Sequence, residues 1–330
     1  MRKKISKKLV SKKASAKKGK KQTRSGKRIA VVFALLGFII LAELISFAVN
    51  QAGASKEFPV QKTLEFSGDT QPCGAFKAWD VLALPNEIVV SDQDHKRLLI
   101  FDRQGKFTSE IGQKQAGPPD ITEVSGLTSD SSGNIYVMDT WNTRIRGFDP
   151  KGDSILNLNF SDKGFYGPRG AAWDNNSFVI ADTGSHRVAK VSLDGNIVAA
   201  WGSHGSGKGM FNNPIETVLD GEGNYYVVDQ GNNRIQCLDS QGHFVREIGV
   251  GAAPSSEAID TQRKLLFVSS NDGHFVKVYN LKGKFVGNMI EPGKKDSPLP
   301  DFRALSVMDN GDIVASNETK VFIYHPVATP

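Results

Sequence analysis

From about residue 57 onward, apolar residues fall in short runs that alternate with polar ones, and turns rich in Gly, Asn and Asp separate the runs. An alternation of period two marks half-buried strands, and no stretch of this part keeps a helical 3.6-residue period of useful length. Only Ile29–Val49 differs. It is a run of 21 residues broken by the single acid Glu43.

The strand pattern repeats. Asp130-Ser131-Ser132-Gly133-Asn134-Ile135-Tyr136-Val137-Met138-Asp139 is matched by Asp220-Gly221-Glu222-Gly223-Asn224-Tyr225-Tyr226-Val227-Val228-Asp229. Asn142-Thr143-Arg144-Ile145-Arg146 follows the first and Asn232-Asn233-Arg234-Ile235-Gln236 the second, and then come the turns Asp149-Pro150-Lys151-Gly152 and Asp239-Ser240-Gln241-Gly242. The same frame returns around Asp92, Asp182, Ser270 and Ser316, so the marker positions 92, 139, 182, 229, 270 and 316 are spaced 47, 43, 47, 41 and 46. A period in this range points to a propeller or a solenoid. Each repeat reads as four strands, and such units close into a ring that protects the sheet edges. The sixth repeat stops at Val321–Pro326 without a fourth strand, while Phe58–Phe66 is an orphan strand of the fourth-strand type. If the orphan completes the sixth unit, residues 57–326 form an all-β, six-bladed propeller whose ring is sealed by joining its two ends.

These residues resemble the NHL-repeat family, whose D-x-x-G-N-[hydrophobic]-Y-V-x-D-x-x-N-x-R-[IV] signature is nearly complete in the second and fourth repeats. The third has Ser177 at the Gly position, the first and sixth are partial, and the fifth lacks both the Asp and the Arg. The resemblance implies the fold. The family includes RNA-binding modules, extracellular sensors and a few enzymes, so it does not imply one function.

Within each repeat the marker Asp ends the second strand and an Arg begins the third. Asp92 with Arg97, Asp139 with Arg144, Asp182 with Arg187 and Asp229 with Arg234 are read as hairpin clamps, with Asn142 and Asn232 in left-handed turn positions. Groups that recur in four blades belong to blade architecture rather than to one active centre.

Residues that break the repeat are the better site candidates. Hairpin tips and inter-blade linkers share one face of a propeller, and irregular segments on a rigid scaffold are where binding concentrates. That face offers His95, Trp141, His186 and Asn233 at the tips, and Tyr166 and Phe211 in linkers 161–168 and 203–214. Linkers 113–125 and 291–302 are long as well. Trp141 either serves as a recognition surface or packs between blades. Channel-facing positions begin each first strand: Trp79, Gly126, Gly170, Glu216, Ser256 and Leu305, with Asp80 and Glu257 one step on. Glu216 and Asp80 are the candidate ligands for a channel Ca²⁺, which prefers six to eight oxygens. The alternative is that Glu216 is a solvated channel carboxylate.

Two enzyme groups of similar shape test this reading. Peptidyl-hydroxyglycine amidating lyases hold zinc with three His near the starts of inner strands, but here those places carry Gly126, Gly170 and Glu216. Calcium-dependent lactonases use a Glu/Asn/Asn/Asp set, to which only Glu216 and Asp80 correspond. The segment Gly202–Gly209 nearly matches a phosphate-binding loop, yet Gly209 replaces the final Ser/Thr and Asn212-Asn213-Pro214 cannot open a helix. A flexible linker is expected there. Of the two cysteines, Cys237 is expected buried and Cys73 loose, with no disulfide between opposite blades.

Charge changes the picture of the N-terminus. Residues 1–28 hold fourteen Lys or Arg and no acid, whereas the rest of the chain carries 27 basic and 35 acidic residues, a net −8. A basic tail before an apolar run long enough to span about 30 Å of bilayer core reads as a cytoplasmic tail (1–28), a signal anchor (29–49) and a linker (50–56). The propeller (57–326) and a short tail (327–330) are then extracytoplasmic, on a single-pass membrane protein whose lysines attract anionic lipid. Cleavage after Ala52-Gly53-Ala54 is the competing reading and gives a secreted propeller. The acidic body has the wrong sign for nucleic acid. The function expected is a binding or interaction module for a protein, peptide or glycan; the alternative is a hydrolase or lyase using a divalent cation in the channel.

Overall fold

Tight turns between alternating runs dictate antiparallel hairpins, and the computed structural model is built from them. It describes residues 56–112, 121–251, 253–270, 275–293 and 299–327. The chain divides into Met1–Ser55 and Lys56–Pro330, and every described residue belongs to the second unit. The expected basic tail, anchor and cleavage site lie outside the described residues. Among the described residues no helix is long and apolar enough to cross a membrane.

The first strand, β1 (Glu57–Ser67), precedes the blades. Blade 1 comprises β2 (Ala78–Ala83), β3 (Glu87–Asp92), β4 (Arg97–Asp102) and β5 (Phe107–Ile111). Blade 2 follows with β6 (Gly126–Ser129), β7 (Ile135–Asp139), β8 (Arg144–Phe148) and β9 (Ser154–Asn159). Blade 3 is β10 (Pro168–Trp173), β11 (Ser177–Asp182), β12 (Arg187–Ser192) and β13 (Ile197–Trp201). Blade 4 is β14 (Pro214–Leu219), β15 (Tyr225–Asp229), β16 (Arg234–Leu238) and β17 (Phe244–Gly249). These four stand as separate four-stranded sheets in simple meander order.

The last eight strands form one sheet. β18 (Pro254–Asp260), β19 (Leu265–Ser270), β20 (Lys277–Asn280) and β21 (Phe285–Ile290) are joined through β1 to β24 (Lys320–Pro326), β23 (Ile313–Ser316) and β22 (Ala304–Val307). β1 runs antiparallel to β24 from Val60 opposite Pro326 to Ser67 opposite Lys320. Its first residues, Glu57–Pro59, pair in parallel with Asn288–Ile290 of β21. The sheet is thus two blade-sized units, and the orphan strand supplies the outer strand of the sixth.

The middle strands of the blades are apolar on both sides because each blade is covered by two neighbours. Val89, Leu98 and Ile100 of blade 1 cluster with Ile135, Val137 and Phe148 of blade 2. Phe66 of β1 joins Phe101 and Ile323 in the cluster that links blades 1 and 6. The D-x-x-G turns are set by one carboxylate: Asp149 Oδ1 accepts the N–H of Lys151 (2.9 Å) and of Asp153 (2.8 Å). Gly152 completes that turn at φ 87°, a backbone region that glycine enters without a Cβ clash.

Candidate functional site

Each marker aspartate is wholly buried and binds in two directions. Asp229 Oδ2 accepts Arg234 Nε–H at 2.8 Å, and the corresponding distance is 2.8 Å for Asp139–Arg144 and Asp182–Arg187 and 2.9 Å for Asp92–Arg97. The other oxygen accepts a backbone N–H of the incoming linker: Lys77 on Asp92, Thr122 and Glu123 on Asp139, Tyr166 on Asp182 and Asn212 on Asp229. The pairs therefore tie hairpin tip to linker as well as closing the hairpin. The left-handed position is not Asn142 or Asn232 but the residue after it, Thr143 and Asn233, with His186 in blade 3. Asn142 and Asn232 instead donate to the marker carboxylates, at 3.0 and 2.8 Å. Their amides reach back over a single 3-10 turn, which forces the next residue to reverse the chain.

Those bonds bring hairpin tips and linkers together on one face. Trp141 is 78% exposed and Tyr166 73% exposed on it. Asn233 is exposed as well, and His95 is half-exposed with Nδ1 2.7 Å from Asp92 Oδ2. His186 Nδ1 accepts the Asn213 N–H at 3.1 Å, and its ring lies 4.4 Å from that of His204. Phe211 departs from expectation. It is fully buried with Tyr225 and Val227, in contact distance of the Gly202 backbone, because its linker folds inward. The glycine-rich segment before it is not free either: the Arg234 guanidinium donates to the carbonyls of Ser206, Gly207 and Met210. Cys73 is likewise buried rather than loose, and Cys237 is buried as expected; both are free thiols.

The first strands enclose a central channel of about 530 Å³. Its lining includes Arg169, Gln230 and Arg303, which lie next to linkers and hairpin tips. The connection between β2 and β3 is one residue shorter than that between β14 and β15, so Asp80, not Trp79, stands opposite Ser91 where Glu216 stands opposite Val228. The two acids then make the same bond to the next blade: Asp80 Oδ2 accepts Leu127 N–H (2.7 Å) and Glu216 Oε2 accepts Glu257 N–H (3.0 Å). Ser256 does the same for Leu305 N–H at 3.1 Å, and Ser306 Oγ closes the circuit by accepting Ala83 N–H at 3.0 Å. Blades 2, 3 and 4 approach more closely, through Gly126 and Gly170. A Cβ on Gly170 would lie 2.6 Å from Glu216 Cα.

Electrostatics single out the acids. Burial pushes the Asp80 carboxyl up to about 7, although two backbone N–H groups favour its charged form. Burial and the Asp80 charge hold Glu216 well above the usual carboxylate range, and burial and the Glu216 charge do the same for Glu257. Glu257 is 1% exposed and neither of its carboxyl oxygens has a hydrogen-bond partner. The sequence expectation named Asp80 and Glu216 as ligands and Glu257 only as a neighbour. Glu257 stands one step past the repeat position, on a strand whose other residues before Asp260 are apolar or serine.

The surroundings of these acids are mostly backbone. Both Asp80 oxygens and one of Glu216 are aligned with backbone N–H donors, and among the described residues no three His, Cys, Asp or Glu side chains converge on one point.

Comparison with known proteins agrees with the architecture. Residues 77–165 match a family described as a 6-bladed beta-propeller. NHL repeat-containing protein 3 of Homo sapiens is 26% identical over 159 residues, covering 43% of this chain and 45% of that protein; the Mus musculus protein of the same name matches equally. The alignment thus spans less than half the length of those relatives. Among solved structures, a streptogramin B lyase superposes with TM-score 0.59 at 14% identity, over 79% of this chain and 96% of the other. A catalytically inactive variant of virginiamycin B lyase from Staphylococcus aureus, solved with quinupristin, gives 0.56 at 15% identity over 77% and 81%. At these identities the likeness to solved structures is one of fold: the chain is an all-β propeller similar to NHL-repeat proteins.

Proposed function

We propose that the chain is a membrane-anchored, extracytoplasmic propeller that binds a protein, peptide or glycan across the loop face around its channel mouth. One observation carries this reading: Trp141 and Tyr166 expose most of their surface on that face, where large aromatics supply contact area at little conformational cost. The anchor rests on the apolar run Ile29–Val49 and the lysines before it, which also favour anionic lipid. An array of peptides and glycans probed with the full-length chain tests the face. A ligand whose binding weakens about tenfold or more with Trp141→Ala and Tyr166→Ala supports it. Ligands indifferent to both substitutions sink it.

A second reading, a lyase or hydrolase acting in the channel, has one observation in its favour. Asp80 is held near neutrality, where a carboxyl serves best as a general acid or base. The streptogramin B and virginiamycin B lyases that superpose on this chain share its scaffold, and at 14% and 15% identity that likeness is one of fold.

A further inference from the structure

One place in the blades is filled in two different ways. It is the fourth residue of each outer strand: Glu110 in β5, Asn157 in β9, Ala200 in β13 and Glu247 in β17. Each lies opposite the residue two past the marker arginine on the neighbouring strand, at Leu99, Arg146, Ala189 and Gln236. In blades 1 and 4 the glutamate reaches diagonally to that arginine: Nη1 of Arg97 donates to Glu110 and Nη1 of Arg234 to Glu247, both at 2.6 Å. In blade 3 the corresponding residues are Ala200 and Arg187, and an alanine side chain offers no acceptor.

Arg187 is otherwise held as its counterparts are. Its Nε donates to Asp182 at 2.8 Å, its Nη2 donates to the Gly164 carbonyl at 3.0 Å, and the guanidinium lies 5.2 Å from the centre of the Phe165 ring. Nη2 of Arg97 and of Arg234 likewise take linker carbonyls, those of Cys73 and Gly207. The Arg187 Nη1, which would meet a glutamate in blades 1 and 4, has no hydrogen-bond partner among the described residues, and the side chain is partly exposed. A planar fork fixed at its other donors suits a carboxylate. The strand beside it is apolar. Ala200 is exposed, Val198 is 58% exposed, and β13 carries neither a charge nor a proline to guard its edge. Blade 5 shows what an outer strand accepts at this place: β1 begins as a fifth strand on β21, in parallel, with Glu57 opposite Asn288, the fourth residue of β21. The next residue, Phe58, packs its ring 5.6 Å from that of Phe267. An acid followed by an apolar residue on an extended segment is thus what this chain itself lays against an outer strand.

We infer that the outer edge of blade 3 binds an extended acidic peptide segment of a partner protein, paired in parallel beside Ala200 and Trp201, with a glutamate carboxylate passing over the Ala200 methyl to Arg187 Nη1. Backbone pairing supplies the affinity of such an added strand, and the carboxylate fixes its register. Gly164, whose carbonyl holds Arg187, is two residues from Tyr166, so this edge borders the loop face. The inference rests on the binding-module reading but concerns the rim of blade 3 and not the aromatic tips.

Fluorescence anisotropy on the full-length chain tests it with a labelled, amide-capped peptide Lys-Glu-Phe-Pro-Val, the sequence that begins β1, against Lys-Gln-Phe-Pro-Val as its neutral match. The glutamate peptide is expected to bind below millimolar concentration, and the glutamine peptide about tenfold more weakly or not at all. Ala200→Glu gives Arg187 a carboxylate of its own, as in blades 1 and 4. It is expected to abolish binding while leaving the melting temperature unchanged or raised, so that unfolding cannot account for the loss. Ala200→Ser, small and neutral, is expected to keep binding within about twofold. Equal binding of the two peptides overturns the inference, as does no binding of either at millimolar concentration. Binding that survives Ala200→Glu places the peptide on another edge and overturns it too. Displacement of the peptide by sodium phosphate at equal concentration reduces the site to one for small anions and overturns the strand. A chain that binds its face ligand through Trp141 and yet not this peptide sinks this inference alone; a face ligand indifferent to Trp141 and Tyr166 beside a bound peptide sinks the other.

Discussion

In blades 1 to 4 a buried aspartate and an arginine hold each hairpin tip to the linker before it, whereas blades 5 and 6 place Ser270 and Ser316 where the aspartate would stand. The signature half builds four self-contained sheets. The divergent half is fused by β1, which pairs with β21 on one side and β24 on the other. Some of the lost side-chain bonds are replaced by backbone ones: Arg303 N–H on Ser316 O at 2.8 Å, and Ala78 N–H on Glu318 O at 2.8 Å. The Asp–Arg pair is therefore one solution to a local problem, and where the chain's own end serves as a clasp another suffices. It also follows that the pair marks blades and not the site, which lies in residues that differ between blades.

Deleting residues 57–66 attacks the divergent half at its clasp and should have the largest effect. Val60 and Phe66 are core residues there, and without β1 the outer edge of β24 is bare. The expected outcome is loss of a cooperative thermal transition, read by circular dichroism; an unchanged transition would show that β1 is an accessory strand.

Next comes Asp229→Ala, which removes the acceptor of the Arg234 Nε–H and of the Asn212 N–H while Arg234 keeps Glu247, at a cost of roughly 2–4 kcal/mol in denaturant unfolding. Its counterpart Ser270→Ala should stay within about 1 kcal/mol. Similar losses for both would erase the contrast between the two halves.

Gly170→Ala sharpens the comparison inside the signature half. Its Cβ meets the Glu216 backbone, which cannot turn aside, so destabilisation of about 1–3 kcal/mol is expected. A neutral result would mean that the seam between blades 3 and 4 has slack.

The repeat was legible in the sequence because its turns depend on particular side chains: a D-x-x-G turn needs the Asp carboxylate and a residue free to take positive φ, and both leave a visible period. Ring closure was legible by default, since one unit lacked a strand and one strand lacked a unit. What escaped was register and direction. Asp80 takes the Glu216 position because the β2–β3 connection is one residue shorter than the β14–β15 connection, a change that the spacing of the marker residues does not record. Phe211 looked exposed from its Gly-rich neighbourhood, yet Arg234 gathers the carbonyls of that linker and turns the ring inward. Glu257 was noticed only as a neighbour, because its burial depends on packing beside Glu216 and Cys237 of blade 4, which no local pattern records.

The ladder that closes the ring has a consequence for chain order. Val60 lies opposite Pro326, and the Val327 N–H reaches Pro59 O at 2.9 Å, so the first and last described strands meet edge to edge. The blades thus form a cycle in which the break in the peptide is a matter of numbering. A short connection from residue 327 to residue 56, with new ends opened in another linker, would spell the same circle from a different starting letter.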